Sequence, residues 1–325
     1  MTTPSTPSTQ PALILPPPLN KGDIIGLVAP AGPIVHEDQL RQGIRLLREL
    51  GFEVKFRRDN WRGRGYLAAD DAARAREFNE LWADPEVKGL LAVRGGYGCL
   101  RMVDGVDMDL VRRVPKIFIG FSDISMLLTA IHRQTGLATF HGPMVTTLPR
   151  SDRPSVQAFV QLLTGRPVET IPAERAEAGK IEVLLSGSAR GRLAAGNLAT
   201  LVHLLDTPYE LSWRGRILVL EEVNEAPYRI DRMLTHLHRA GRLQQLAGLI
   251  LGTFAGYDDP VNMATCEDCW QRILELLGQA NIPVWGNFPS GHTARNHILP
   301  LGIEAEMDSA TRTLRLLGPC TAGEF

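Results

Sequence analysis

Lys116-Ile117-Phe118-Ile119-Gly120-Phe121-Ser122-Asp123-Ile124-Ser125 reads as a buried strand that stops at a glycine, turns sharply and enters a helix. The apolar run Ile117 to Ile119 is too short for a core helix, and helical spacing begins at Ile124 and continues to His132. Strand, turn and helix in that order lift the Ser122 hydroxyl above the end of a sheet, where solvent and substrate reach it. A serine hydroxyl is a weak nucleophile at neutral pH and needs a base, plus a group that orients the base. Both stand downstream. Glu221 ends the apolar run Arg216-Ile217-Leu218-Val219-Leu220, and His292 lies in Phe288-Pro289-Ser290-Gly291-His292-Thr293. A Gly-x-Ser-Asp turn by itself is equally a helix N-cap, so the reading rests on the three segments together.

Around this turn the first half alternates strand and helix signals. Asp23 to Ala29 is a buried strand, Glu37 to Leu50 a helix closed by Gly51, and Val54 to Phe56 a second strand. Ala68 to Trp82 reads as a helix, and the strand Val87 to Val93 runs into Arg94-Gly95-Gly96-Tyr97-Gly98. Repeated strand–helix units with continuously apolar strands imply a doubly wound parallel sheet covered on both faces. Ligands of such sheets bind beyond the carboxyl ends of the strands, where Gly95-Gly96 and Ser122 both fall.

The stretch 151–180 is rich in Pro and Ala-Glu pairs and predicts an interdomain connection between a domain over 19–150 and a second α/β domain over 181–325. In the second half, strand signals at Ile181 to Leu185, Gly191 to Ala194, Ile217 to Leu220, Leu249 to Thr253 and Leu314 to Leu317 alternate with helical ones. Residues 1–18 are dominated by Thr, Ser and Pro and predict a disordered or extended arm, with neither the basic nor the apolar segment of a signal peptide. The formal net charge of −1 gives no global field for nucleic acid or an anionic membrane, and no apolar run is long enough to span a bilayer. A cytoplasmic enzyme is expected. Eight histidines supply no H-x-x-H or H-E-x-x-H spacing, so no metal site is expected and no cofactor is called for. Cys266-Glu267-Asp268-Cys269 has no partner pair and reads as helix surface, and Cys99 as a small buried residue.

The order Ser122, Glu221, His292 also occurs in α/β-hydrolases, but their elbow needs Gly two residues after the serine, where Ile124 stands here. The chain instead resembles the LD-carboxypeptidases (murein tetrapeptide carboxypeptidases), whose relatives include the microcin C immunity hydrolases. The resemblance runs from Lys21 to Gly318. It is carried by Gly26-Leu27-Val28-Ala29-Pro30, Arg94 to Gly98, Gly120 to Asp123, Phe140-His141-Gly142-Pro143-Met144, Ala195-Gly196-Asn197-Leu198, Leu220 to Leu234, Gly291-His292 and Leu299-Pro300-Leu301-Gly302. It departs at Glu222, where the family usually has Asp, and at Ala195, where Gly is common.

The resemblance implies Ser122 as nucleophile, His292 as base and then acid, and Glu221 as the carboxylate that holds the imidazole. It implies an oxyanion hole made by the backbone N–H groups of Gly96 and Asp123, and substrate binding by Arg94, Gly95, Asn197 and Arg229. The implied reaction is hydrolysis of the amide between the L-centre of meso-diaminopimelate and a terminal D-alanine, in peptidoglycan recycling. The partner is then a murein peptide, with a homodimer left open. The residues leave rivals standing: Glu222 or Glu225 for the acid, His297 or His141 for the base, and salt bridges for Arg94 and Arg229. Successive strand residues face opposite ways, so only one of Glu221 and Glu222 can meet His292. Two other readings remain: a microcin-immunity-like hydrolase of peptidyl or aminoacyl nucleotides, and a doubly wound binding protein without turnover.

Overall fold

The computed structural model describes residues 11–57, 61, 63–172, 180–255, 266–278 and 280–323. The first domain runs β1 (Ile24–Val28), α1 (Glu37–Glu49), β2 (Glu53–Lys55), α2 (Asp71–Ala83), β3 (Val87–Ala92), α3 (Cys99–Met102), α4 (Met108–Arg113), β4 (Ile117–Gly120), α5 (Ser125–Thr135), β5 (Phe140–His141) and α6 (Arg153–Leu163). The second begins with β6 (Thr170–Ile171), β7 (Glu182–Leu185), β8 (Ser188–Asn197), α7 (Leu198–Val202), β9 (Arg216–Val223) and α8 (Pro227–Arg239). It continues with β10 (Gly248–Ala255), α9 (Cys266–Leu277), β11 (Val284–Gly286), β12 (Leu299–Pro300), β13 (Glu304–Asp308) and β14 (Thr313–Leu316).

The first sheet has the order β12-β5-β4-β3-β1-β2. β5, β4, β3, β1 and β2 pair in parallel, and β12 closes the edge antiparallel to β5. The period of two sets its faces. Ile117 and Ile119 pack with α1 and α6 residues such as Leu47 and Phe159, while Phe118 packs with Phe78 and Trp82 of α2. The strand order reverses between β1 and β3, and the loops after β1, β3, β4 and β5 open on that side.

The second sheet has the order β6-β14-β13-β8-β9-β10-β11-β7, with a parallel centre of β8, β9, β10 and β11 and antiparallel edges. Between the domains lies α5, buried from Ser125 to His132 on every face, as an all-round apolar helix must be. One continuous core runs from Phe118 and Leu127 through α5 to Leu193, Leu220 and Leu249.

The structure refines or corrects four sequence expectations. Residues 11–18 take the extended of the two expected forms and not the disordered one: Ile14 donates to Gly136 O at 2.9 Å and accepts from Ala138 N at 2.8 Å, because an extended chain with free backbone groups can pair with a neighbouring segment. Residues 1–10 lie outside the described part. The segment 151–180 is no simple connection, since α6 buries Phe159, Leu162 and Leu163 in the first core and β6 joins the second sheet. Conversely β12, placed in the second domain by sequence order, belongs to the first sheet. Cys269 is buried beside Trp270 and so does not lie on a helix surface, while the side chain of Cys266 lies outside the described residues.

Candidate active site

β4 ends at Gly120, Phe121 stays extended, and Ser122 enters the left-handed region at φ 62° before a tight turn over Ser122–Ile124 and then α5. A left-handed serine costs about 1–3 kcal/mol and persists only where its surroundings fix it. The bend needs Gly120: a Cβ there would lie 2.5 Å from Cγ2 of Ile124. Room for the turn thus comes from the glycine before the serine, which explains how Ile124 stands where hydrolase elbows carry glycine.

Two glycines of the β3 loop press against this bend. A Cβ on Gly95 would sit 2.8 Å from both Cβ and Oγ of Ser122 and 3.6 Å from the backbone N of Asp123. Gly96, at φ 128°, lies so close to the β1 loop that a Cβ would be 3.1 Å from Cα of Gly32. The Asp123 carboxylate accepts the Cys99 N–H at 2.9 Å, tying the end of the glycine loop to the turn after Ser122. Burial raises the pKa of that carboxyl. The glycine loop after β3 and the backbone N of Asp123 thus both lie against the Ser122 bend.

His292 Nδ1 and Glu221 Oε2 are 2.6 Å apart, with Glu221 at 1% side-chain exposure and His292 at 22%. A buried acceptor on Nδ1–H fixes the tautomer that leaves Nε2 free as a base. Gly291 permits the approach, because a Cβ there would be 3.0 Å from Cβ of Glu221 and 2.3 Å from the Thr253 hydroxyl. The Phe121 ring lies 4.7 Å from the His292 ring, centroid to centroid. Ser122 and His292 line one cleft of about 420 Å³, together with Arg94, Gly95 and Gly96.

The rivals separate on burial and partners. Glu222 points to the other face of β9, where it accepts from Asn197 Nδ2, Ala199 N and Val223 N, each at 2.8 Å. Burial pushes its pKa up to about 7 in spite of those donors. Glu225 pairs with Arg229 at 3.5 Å. His297 is buried. His141 is fully buried and held down to about pKa 4 by burial. Cys99 is buried, and burial raises its thiol.

Of the expected binding residues, Arg94 and Gly95 line the cleft, but Asn197 and Arg229 do not. Asn197 is buried, and its side chain caps α7 through Thr200 N at 3.2 Å while holding Glu222. Its amide is spent on local structure. Arg229 is exposed on α8 beside Tyr228 and Glu225. Sequence reasoning missed Arg150, His36, Gln39, Thr146 and Thr147, which also line the cleft. A separate cavity of about 370 Å³, lined by Pro18, Gly165, Leu316 and Cys320 among others, contains none of these residues.

The model of the LD-carboxypeptidase N-terminal domain matches residues 25–142, and that of the C-terminal domain matches 190–307. The chain belongs to the LD-carboxypeptidase family. It is a hydrolase of the serine carboxypeptidase type. It is 38% identical to a Bacillus subtilis protein named "Probable murein peptide carboxypeptidase", over 91% of this chain and 92% of that one. A murein tetrapeptide carboxypeptidase of Pseudomonas aeruginosa is 31% identical over 87% of this chain and 92% of its own length. The microcin C7 self-immunity protein MccF, solved in its wild-type apo state, shares the fold at a TM-score of 0.85 and 24% identity, covering 95% of this chain and 100% of that one. Among the described residues no helix is long and apolar enough to cross a membrane.

Proposed function

We propose that this chain is an LD-carboxypeptidase acting on murein tetrapeptides, hydrolysing the amide between the L-centre of meso-diaminopimelate and the terminal D-alanine. The observation that carries the reading is the strained Ser122, backed by Gly95-Gly96, in the same cleft as the 2.6 Å His292–Glu221 pair. His292 Nε2 takes the Ser122 proton as the oxygen attacks the scissile carbonyl. The oxyanion is met by N–H of Gly96 and Asp123. The imidazolium then gives its proton to the departing D-alanine amine, leaving an acyl-Ser122 ester. Water, deprotonated by the same imidazole, hydrolyses that ester and frees Ser122. Glu221 stabilises the imidazolium throughout. We infer recycling of wall peptides in the cytoplasm as the setting; the names of the murein carboxypeptidase relatives support the murein peptide substrate.

Purified protein is incubated with muropeptide tri-, tetra- and pentapeptides and with an aminoacyl sulfamoyl adenylate, with and without chelator, and products are read by mass spectrometry. Release of D-alanine from the tetrapeptide alone, indifferent to chelator and absent in Ser122→Ala, is expected. Preferred cleavage of the adenylate would move the chain to the immunity-type activity. Cleavage of the D-Ala–D-Ala bond, or loss of activity in chelator, would refute the mechanism.

A further inference from the structure

The overall charge of −1 conceals a strongly one-sided cleft. Among the described residues its lining holds Arg94, Arg150, His36 and His292, and no Asp or Glu. Elsewhere arginines pair with carboxylates, as Arg101 does with Asp71 at 2.9 Å and Arg242 with Glu210 at 2.6 Å. Arg94 and Arg150 have no carboxylate partner among the described residues.

The two heads are held differently. Arg94 is half buried, its Nε donating to Gly95 O at 3.2 Å and its Nη1 to Pro33 O at 3.0 Å, so its guanidinium is fixed beside the oxyanion loop. Arg150 ends the tight turn Leu148–Arg150, anchored by its backbone N–H to Thr147 O at 2.9 Å, while its exposed side chain stands at the rim. A fixed guanidinium next to the reacting carbonyl suits a group at constant distance from it, and in any carboxypeptidase substrate that group is the C-terminal carboxylate. A rim guanidinium on a long stem suits a carboxylate farther out.

We propose that Arg150 recognises a second carboxylate on the acyl side of the scissile amide, the free acid at the far end of the diamino acid side chain. The inference rests on the carboxypeptidase reading and adds to it the diamino acid that the cleft selects. A lysine at that position would bring only an ammonium toward a cleft that already holds Arg150. Amidation of the far carboxyl would leave that end cationic too. Both are disfavoured by like charge as well as by the lost bidentate pair.

The test compares kcat/KM of wild type, Arg150→Gln and Arg150→Glu on three tetrapeptides ending in D-alanine: free meso-diaminopimelate, its far-end amide, and L-lysine. Wild type is expected to favour the free acid by on the order of 10-fold, mainly through KM, since a rim contact binds ground and transition states alike. Arg150→Gln should bring the three ratios close to one, and Arg150→Glu should turn the preference toward lysine. Among the described residues the exposed side chain has no salt-bridge partner to lose, so both variants should fold, which circular dichroism verifies. Equal wild-type rates on the three peptides, or variants that slow all three by one factor, would overturn the role of Arg150 while leaving the carboxypeptidase reading intact. Failure of every peptide to be cut would overturn both.

Discussion

Glu221→Gln is the most informative single change, because the structure separates its charge from its shape. Glu221 Oε2 accepts from His292 Nδ1 at 2.6 Å, and its Oε1 has no hydrogen-bond partner among the described residues. A glutamine can place its carbonyl at the Oε2 position and its NH₂ at the unpaired one, so the imidazole keeps its tautomer and orientation. What disappears is the negative charge facing the imidazolium that forms during acyl transfer. Taking the charge centres at about 4 Å and an effective dielectric near 20, that attraction is about 4 kcal/mol. At 1.36 kcal/mol per factor of ten, kcat should fall about 10³-fold. KM should hardly move, since the charge acts after the proton has shifted. Glu222→Gln, on the opposite face of β9 and bonded to Asn197 and Ala199, should alter kcat by no more than a few-fold. The assay is steady-state release of D-alanine by both variants. A Glu221→Gln enzyme retaining a tenth of wild-type kcat, or a Glu222→Gln enzyme more damaged than it, would refute the assignment.

Further outcomes follow from the same geometry. Ser122→Ala and Ser122→Gly should both abolish turnover, by on the order of 10⁴ or more in kcat. The glycine variant should be about 1 kcal/mol more stable than the alanine one in urea, because only glycine relaxes at φ 62°; equal midpoints would contradict the strain. Gly95→Ala puts a methyl 2.8 Å from the Ser122 Oγ and should lower kcat by on the order of 10²-fold without unfolding the protein, and a near wild-type rate would show the loop free to retreat. Glu222, raised to about 7 from an ordinary 4.5, holds its proton in the folded state over a range where the unfolded chain has lost it. Its contribution therefore falls as pH rises from about 4.5 to about 7, by on the order of 3 kcal/mol in all. Thermal midpoints across that range should drop less in Glu222→Gln than in wild type, and parallel curves would count against this.

The central strands were legible because each is a short, largely apolar run closed by a proline or a glycine, as Ile24–Val28 is by Ala29-Pro30 and Ile117–Ile119 by Gly120. Alternation along the strand also implies that only one of Glu221 and Glu222 can meet His292, and Glu221 is the one that lies 2.6 Å from its Nδ1. Harder to read were the edges. β13, Glu304-Ala305-Glu306-Met307-Asp308, alternates buried and half-buried residues, a period of two that its charges mask. Arg150 follows Leu148-Pro149 immediately before the stretch that composition marks as a connection, and only the folding of the β5 loop over the sheet brings it to the cleft. Asn197 shows the opposite error: its motif is placed as the resemblance implies, yet its amide is committed to capping α7 and holding Glu222.

Ser122 comes from the first sheet, and Glu221 and His292 from strands and loops of the second, so the register between domains sets the distance from Ser122 to His292, the nucleophile and base of the proposed mechanism. Several separate ties fix it. α5 starts immediately after the nucleophile turn, is buried on all sides, and accepts Asn197 N–H at Ser125 Oγ, 3.3 Å away. The loop bearing His292 is tied back to the first domain at Asp152 N–Ala294 O, 2.8 Å, and Asn296 N–Ser155 Oγ, 3.1 Å. Immediately beyond it, Leu299–Pro300 becomes a strand of the first sheet, with Leu299 opposite His141. The histidine is thus carried by a segment that crosses from one sheet to the other and is pinned on both. The geometry proposed for catalysis then depends on domain docking, whereas the bend at Ser122 is held within the first domain by Gly120, Gly95 and the Asp123–Cys99 bond.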